Sequence, residues 1–138
     1  ELYSQVFSNL ILLGIPLGLL TTNILFINQY PDYTSDKKVG KNHLVVLLGK
    51  KASRWIYALN SALAVGSLYF ISENILNETQ SSLFLYVLIP ITMIYSYYLI
   101  SGLLKYYNSR ELIKYNIHTI YFHMFFSFIY MIILANFQ

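Results

Sequence analysis

The stretch VFSNLILLGIPLGLLTTNILFI, Val6 to Ile27, decides the class of this protein. It contains no Lys, Arg, Asp or Glu over a length that suits one crossing of a lipid hydrocarbon layer, roughly 17–25 residues. Three similar runs follow, at about Trp55–Ile71, Leu83–Leu104 and Ile117–Ala135. Of the 138 residues, 57% are hydrophobic and only 11% are charged, whereas soluble proteins average about 25% charged residues. A chain so short and apolar would expose much greasy surface if it folded alone in water; lipid is the simpler solvent. A closed β-barrel also satisfies its backbone in lipid, but would alternate polar and apolar residues in units of about ten. These runs are continuous. The expectation is an all-α, polytopic membrane helical bundle. It has four transmembrane helices at about 6–27, 55–71, 83–104 and 117–135, a loop at 28–54, and a single membrane domain over 1–138.

The charges fall on one side of that plan. Lys37, Lys38, Lys41, Lys50, Lys51 and Arg54 follow the first run, and Lys105, Arg110 and Lys114 follow the third; these are all nine basic residues. The middle connection, Ser72–Ser82, has Glu73 and Glu78 and no base. Because Lys and Arg are retained on the cytoplasmic side of a membrane, the first and third loops are expected there, or in its topological equivalent. The 14 Tyr suit the membrane–water boundary. Without Cys there is no thiolate nucleophile, disulfide or Cys-based metal site. Gly14 and Gly18 stand four apart, a spacing that fits close helix contact or a ligand passage, and equally the ordinary packing of small residues. Pro16 and Pro90 are expected to kink their helices. Asn77-Glu78-Thr79 has the form of a glycosylation sequon, which also arises by chance.

Chemistry concentrates between Asn28 and Lys41, NQYPDYTSDKKVGK. Asn28, Asp32 and Asp36 are spaced by four, so on a helix they form one stripe. Pro31 fits the first turn of a new helix better than the middle of a continuous one. A break there, followed by a short surface helix, still brings the three groups together. Two carboxylates and an amide at a helix end suit Mg²⁺, a hard cation usually held by one or two carboxylates and substrate phosphates. Lys37, Lys38 and Lys41 could meet the remaining phosphate charge. From spacing alone, a solvated acidic–basic loop fits equally well. His43 reads as a solvated loop histidine, and His118 and His123 are too splayed to share a metal. Asn23 and Asn116 are candidates for hydrogen bonds between helices. The Tyr95–Tyr98 and Tyr106–Tyr107 runs suit a channel lining, interfacial anchoring or core packing.

The pattern Asn28-x-x-x-Asp32-x-x-x-Asp36, then Gly40-Lys41 and Leu44-Val45-Val46-Leu47-Leu48-Gly49, resembles the second aspartate-rich motif of the UbiA superfamily of prenyltransferases. It is most similar to MenA-type members, which attach a polyprenyl chain to 1,4-dihydroxy-2-naphthoate. The resemblance implies the second half of a nine-helix fold, in which paired motifs bind an allylic diphosphate through Mg²⁺. Carried to this sequence, Asp32 and Asp36 are the Mg²⁺ ligands and catalytic pair. Asn28 supports them, Lys41 contacts diphosphate, and Lys37 is a weaker diphosphate candidate. The first motif of such a fold is absent here, as are about five helices. Either the rest of the fold lies outside these residues, or another chain supplies it, or catalysis has been lost. Glu1, with no Met and no signal-peptide n-region before the first run, reads as a cut inside a longer protein. The 138 residues alone are then inactive and need a missing N-terminal half or a partner chain. Expected partners are membrane lipid, a polyprenyl diphosphate and an aromatic acceptor; nucleic acid is not among them. The alternative is a non-catalytic membrane subunit of a larger complex.

Overall fold

The computed structural model describes residues 2–135. Four helices in it are long and apolar enough to cross a membrane: Tyr3–Asn28, Lys50–Asn74, Glu78–Tyr106 and Leu112–Ala135. The first lies in α1 (Leu2–Asn28). Two short helices follow, α2 (Tyr33–Lys38) and α3 (Leu44–Leu48), and then α4 (Lys50–Asn74) returns. The third crossing is composite: α5 (Glu78–Leu83), a π-helical turn over Phe84–Leu88, and α6 (Ile89–Tyr106). The last crossing is α7 (Leu112–Ala135). The four-crossing all-α bundle expected from hydropathy is what the chain forms, and it is an integral membrane protein.

Every crossing exceeds the apolar run that announces it. Lys50, Lys51 and Arg54 occupy the first turns of α4, before the expected start at Trp55. Their long stems can lie along the helix while the charges reach the boundary. At the opposite end, Asn77 caps α5. Its side-chain oxygen accepts from the Gln80 N–H at 2.9 Å, and the Gln80 side chain reaches back to the Asn77 N–H. This reciprocal capping box satisfies donors that a helix start leaves open, so Asn77 has a structural use whatever its sequon form.

Pro90 sits at the start of α6. Lacking an N–H, it leaves one helical bond unmade. The preceding turn widens instead, with Ile89 N–H reaching Phe84 O, and the crossing continues. Pro16 lies inside the unbroken α1.

Helix α1 packs chiefly on α4, α4 on α6, and α7 against both α1 and α6. Within each apolar window only 28–33% of residues are buried. The other faces are greasy and open, with Leu25, Leu59, Ile94 and Met131 among them. Water would penalise such a surface; hydrocarbon does not.

Single polar pairs tie the crossings together where they touch. Asn23 Nδ2 of α1 donates to Ser61 Oγ of α4 at 2.9 Å and to Tyr57 O at 3.3 Å. Tyr57 Oη meets Thr119 Oγ1 of α7 at 3.0 Å. Tyr130 Oη of α7 donates to Leu13 O of α1 at 2.8 Å. His118 pairs with Tyr95 of α6 and His123 with Thr21 of α1, so the two histidines serve different interfaces. Asn23 thus bonds between helices as expected. Asn116 differs: its Oδ1 is buried without a hydrogen-bond partner. Gly14 and Gly18 do not make the helix contact or the packing that their spacing allows. A Cβ built on either meets nothing within 4 Å, so that face of α1 is open rather than packed.

The close helix approach occurs at Gly102, where a Cβ would overlap the Tyr115 ring of α7. That ring lies between Tyr98 and Tyr106, with centroids 5.3 and 5.5 Å away. Gly102→Ala must therefore displace a packed aromatic stack. Overfilling of this kind costs about 1–3 kcal/mol, and the variant should melt earlier in detergent micelles. An unchanged melting temperature would show that α6 and α7 do not approach there.

Candidate functional site

The polar stretch between the first two crossings is built on backbone hydrogen bonds. Helix α1 tightens at its end, where Gln29 N–H bonds Phe26 O and Tyr30 N–H bonds Ile27 O. Pro31 cannot donate, and the chain turns before α2 begins at Tyr33. The break expected at Pro31 is present, two residues before the new helix rather than within its first turn. Tyr30 pins the turn. Its ring is buried and its hydroxyl lies 3.1 Å from Ser53 Oγ of α4. Burial pushes that phenol up to about 12.

Helix α2 ends in a Schellman turn, with Lys41 N–H bonding Asp36 O at 3.0 Å and Gly40 N–H bonding Lys37 O at 3.4 Å. Gly40 has φ +75°, a conformation that L side chains rarely adopt. This turn brings Lys41 back over Asp36, so the Gly40-Lys41 pair is required by geometry as well as by charge.

The result is a clasp on one carboxylate. Lys41 Nζ donates to Asp36 Oδ1 at 2.7 Å, and His43 Nε2 lies 2.9 Å from Oδ2. The other nitrogen of His43 caps α3: Nδ1 accepts from the Val46 N–H at 3.3 Å. A ring nitrogen that accepts carries no proton, so in the neutral imidazole the proton is on Nε2 and points at Asp36. Asp36 is 8% exposed, covered by its own loop rather than sunk in the bundle. Lys41, and then His43, hold its carboxyl below the usual carboxylate range. The same bond holds the Lys41 amine above its usual value.

The other expected residues lie around this clasp. Asp32 is exposed one turn before Asp36 and makes no side-chain cap for α2. Its carbonyl takes the Asp36 N–H at 2.8 Å, which puts the two carboxylates on one helical turn. Lys41 also feels the Asp32 charge. Asn28 is exposed at the last turn of α1. Lys37 lies over the Tyr33 ring at 5.7 Å, with Lys50 near the same ring at 5.5 Å. Asp32, Asp36, Lys41 and His43 thus form one group, while Asn28 and Lys37 flank it. His43 was read from sequence as solvated; it is a half-buried cap and Asp36 partner. Its place directly before the apolar run of α3 was the signal for the cap.

Whether these residues suit Mg²⁺ follows from the donor set. Among the described residues no three His, Asp or Glu side chains are grouped to hold a metal. Both Asp36 oxygens already accept hydrogen bonds. Mg²⁺ is seldom caged by protein alone; it keeps waters and takes one or two carboxylates together with phosphate. The donors fit that second situation, a cation shared with a phosphate-bearing substrate.

The opposed pKa shifts set a pH window for the clasp. Asp36 is shifted down, so its contribution is complete above about pH 4, the ordinary carboxylate value, and is lost as pH falls through the lower folded value. Lys41 is shifted up, so its contribution is complete below about pH 10 and is lost as pH rises through the higher folded value. Amide exchange over residues 39–48, corrected for intrinsic rate, should rise as pH falls through the lower limit and again as pH rises through the upper one. In His43→Ala, which removes both a cap and a carboxylate donor, exchange there should be faster at neutral pH. Wild-type protection in that variant would dissolve the clasp.

Residues 3–133 match the family model described as the UbiA prenyltransferase family. No match was found among curated proteins or among solved structures. With nearly its whole length covered by the family model, four membrane crossings and an acidic motif at their loop end, this chain belongs to the UbiA prenyltransferase family, whose members are membrane-embedded prenyltransferases.

Proposed function

We propose that this chain carries the second diphosphate-binding motif of a MenA-type enzyme. The reaction is transfer of a polyprenyl group from an allylic diphosphate to an aromatic quinone precursor such as 1,4-dihydroxy-2-naphthoate. The observation that carries the reading is the placement of Asp32 and Asp36 on one helical turn, with Lys41 already in contact with Asp36.

Heterolysis of the allylic C–O bond leaves the electron pair on diphosphate and positive charge on the allyl carbon. The acceptor ring attacks that carbon, and the ring regains aromaticity by losing the proton of the attacked carbon, or its carboxyl group as CO₂. The protein's task is to neutralise the leaving group and hold the partners in line. Asp32 and Asp36 would hold Mg²⁺, which would supply charge neutralisation at the diphosphate. Lys41 is 61% exposed along its side chain, so it can turn from Asp36 toward phosphate oxygens without unpacking the bundle. Asn28 and Lys37 stand close enough in sequence to support the cation and the phosphate. All nine basic residues lie at this end of the bundle, which supports a cytoplasmic-side motif.

The open Gly14–Gly18 face and the exposed apolar faces of α1 and α4 support a larger nine-helix assembly. In it this membrane domain forms the second half, and the first motif comes from the rest of the protein or from a partner. One observation favours the rival reading of a non-catalytic subunit: both Asp36 oxygens are engaged by the chain's own Lys41 and His43.

Prenyl transfer by the protein in its native membrane separates the two. Asp32→Ala and Asp36→Ala should each lower Mg²⁺-dependent transfer from a labelled allylic diphosphate by on the order of 10²–10³. Chelation of Mg²⁺ should do the same to wild type. Full activity in either variant, or none in wild type with a panel of aromatic acceptors, would leave the subunit reading.

A further inference from the structure

A cavity of about 470 Å³ opens at the loop end of the bundle, bounded by Tyr30 and Pro31, Lys50 at the start of α4, and Tyr107, Arg110 and Leu112 around the α6–α7 connection. We propose that it binds the phosphate of an anionic membrane lipid. The assignment is independent of the transfer reaction and uses neither Asp32 nor Asp36.

The charge of the cavity is one-sided. Lys50 and Arg110 line it, and no Asp or Glu does. Among the described residues the ion pairs are the two made by Asp36, so neither cation has a carboxylate within ion-pair distance, although Glu111 neighbours Arg110 in sequence. A third stands behind the wall: the Arg54 guanidinium lies 4.8 Å from the Tyr107 ring centroid. Arg54 Nη1 donates to Leu104 O at 3.3 Å, while its buried Nε has no hydrogen-bond partner. Positive charge gathered around a concavity asks for an anion.

Position names the kind of anion. Helix α1 ends at Asn28, α4 begins at Lys50, α6 ends at Tyr106 and α7 begins at Leu112. The cavity lies among these four ends, at the level where the crossings leave the hydrocarbon and lipid phosphates sit. Its walls are mixed, with Tyr107 and the exposed Ile113 beside the cations, which suits a headgroup whose acyl chains run down the open helix faces. Basic pockets between membrane helices are known to take phosphate headgroups in this way.

An allylic diphosphate offers the same chemistry from another source, and native mass spectrometry of the purified protein can distinguish them. Phosphatidylglycerol should remain bound where phosphatidylcholine does not. Lys50→Gln with Arg110→Gln should weaken phosphatidylglycerol binding about tenfold or more, whereas Lys51→Gln with Lys114→Gln, an equal loss of charge outside the cavity, should change it by less than about twofold. Farnesyl diphosphate should leave the lipid adduct in place. Equal losses in the two double variants, equal retention of the two lipids, or one-for-one displacement by farnesyl diphosphate would each overturn the assignment. If the cavity double variant fails to melt cooperatively, the single variants are read instead. Each should lose about fivefold, and wild-type affinity in either overturns it.

Discussion

Hydrocarbon offers a backbone no hydrogen-bond partners, and the rest of this molecule is arranged around that fact. Each crossing must satisfy its own N–H and C=O groups, so each is a helix, and several polar side chains within the crossings pair from one helix to another. Asn23 with Ser61, Tyr57 with Thr119, and Tyr130 with Leu13 O are such pairs. Unpaired charge is displaced to the ends. With all nine bases gathered at one end, the membrane itself has sorted the chemistry of this chain to one face.

At that face, Asp36 has two demands upon it. Within the chain it is the node that closes a loop, tied to Lys41 by the Schellman turn at Gly40 and to α3 through the cap of His43. In the proposed prenyl transfer it would share a cation with Asp32. The two demands are compatible because a carboxylate oxygen has more than one acceptor site and because Lys41 is an exposed partner. In that proposal the clasp would pre-position the carboxylate while keeping its negative charge compensated until phosphate arrives. His43, which holds Asp36 from the less exposed side, sets where that carboxylate points.

Much of this was legible in the residues. The absence of charge in four runs of suitable length determines the crossings, since few other folds tolerate them. The four-residue spacing of Asn28, Asp32 and Asp36 with Pro31 between them announces the break and the short helix that follows. What could not be read is whatever depends on contacts between distant segments. Lys50 and Arg54 look like loop residues by hydropathy, yet they sit in the first turns of α4. Gly14-x-x-x-Gly18 has the form of a contact, whereas the close approach occurs at Gly102, which has no such pattern. The widened turn before Pro90 and the pairing of His43 with Asp36 are likewise products of how elements meet. Local spacing reveals which groups can share a helical turn; it does not reveal which of them a neighbouring loop has already engaged.

The central claim is that Asp32, Asp36 and Lys41 act together on a diphosphate through Mg²⁺. Calorimetric titration of the purified protein with an unreactive allylic thiolodiphosphate tests it most directly. The account predicts binding that needs Mg²⁺, is lost on chelation, and is lost in Asp32→Asn even with Mg²⁺ present. Equal affinity with and without the metal, or an unaltered Asp32→Asn titration, would contradict it.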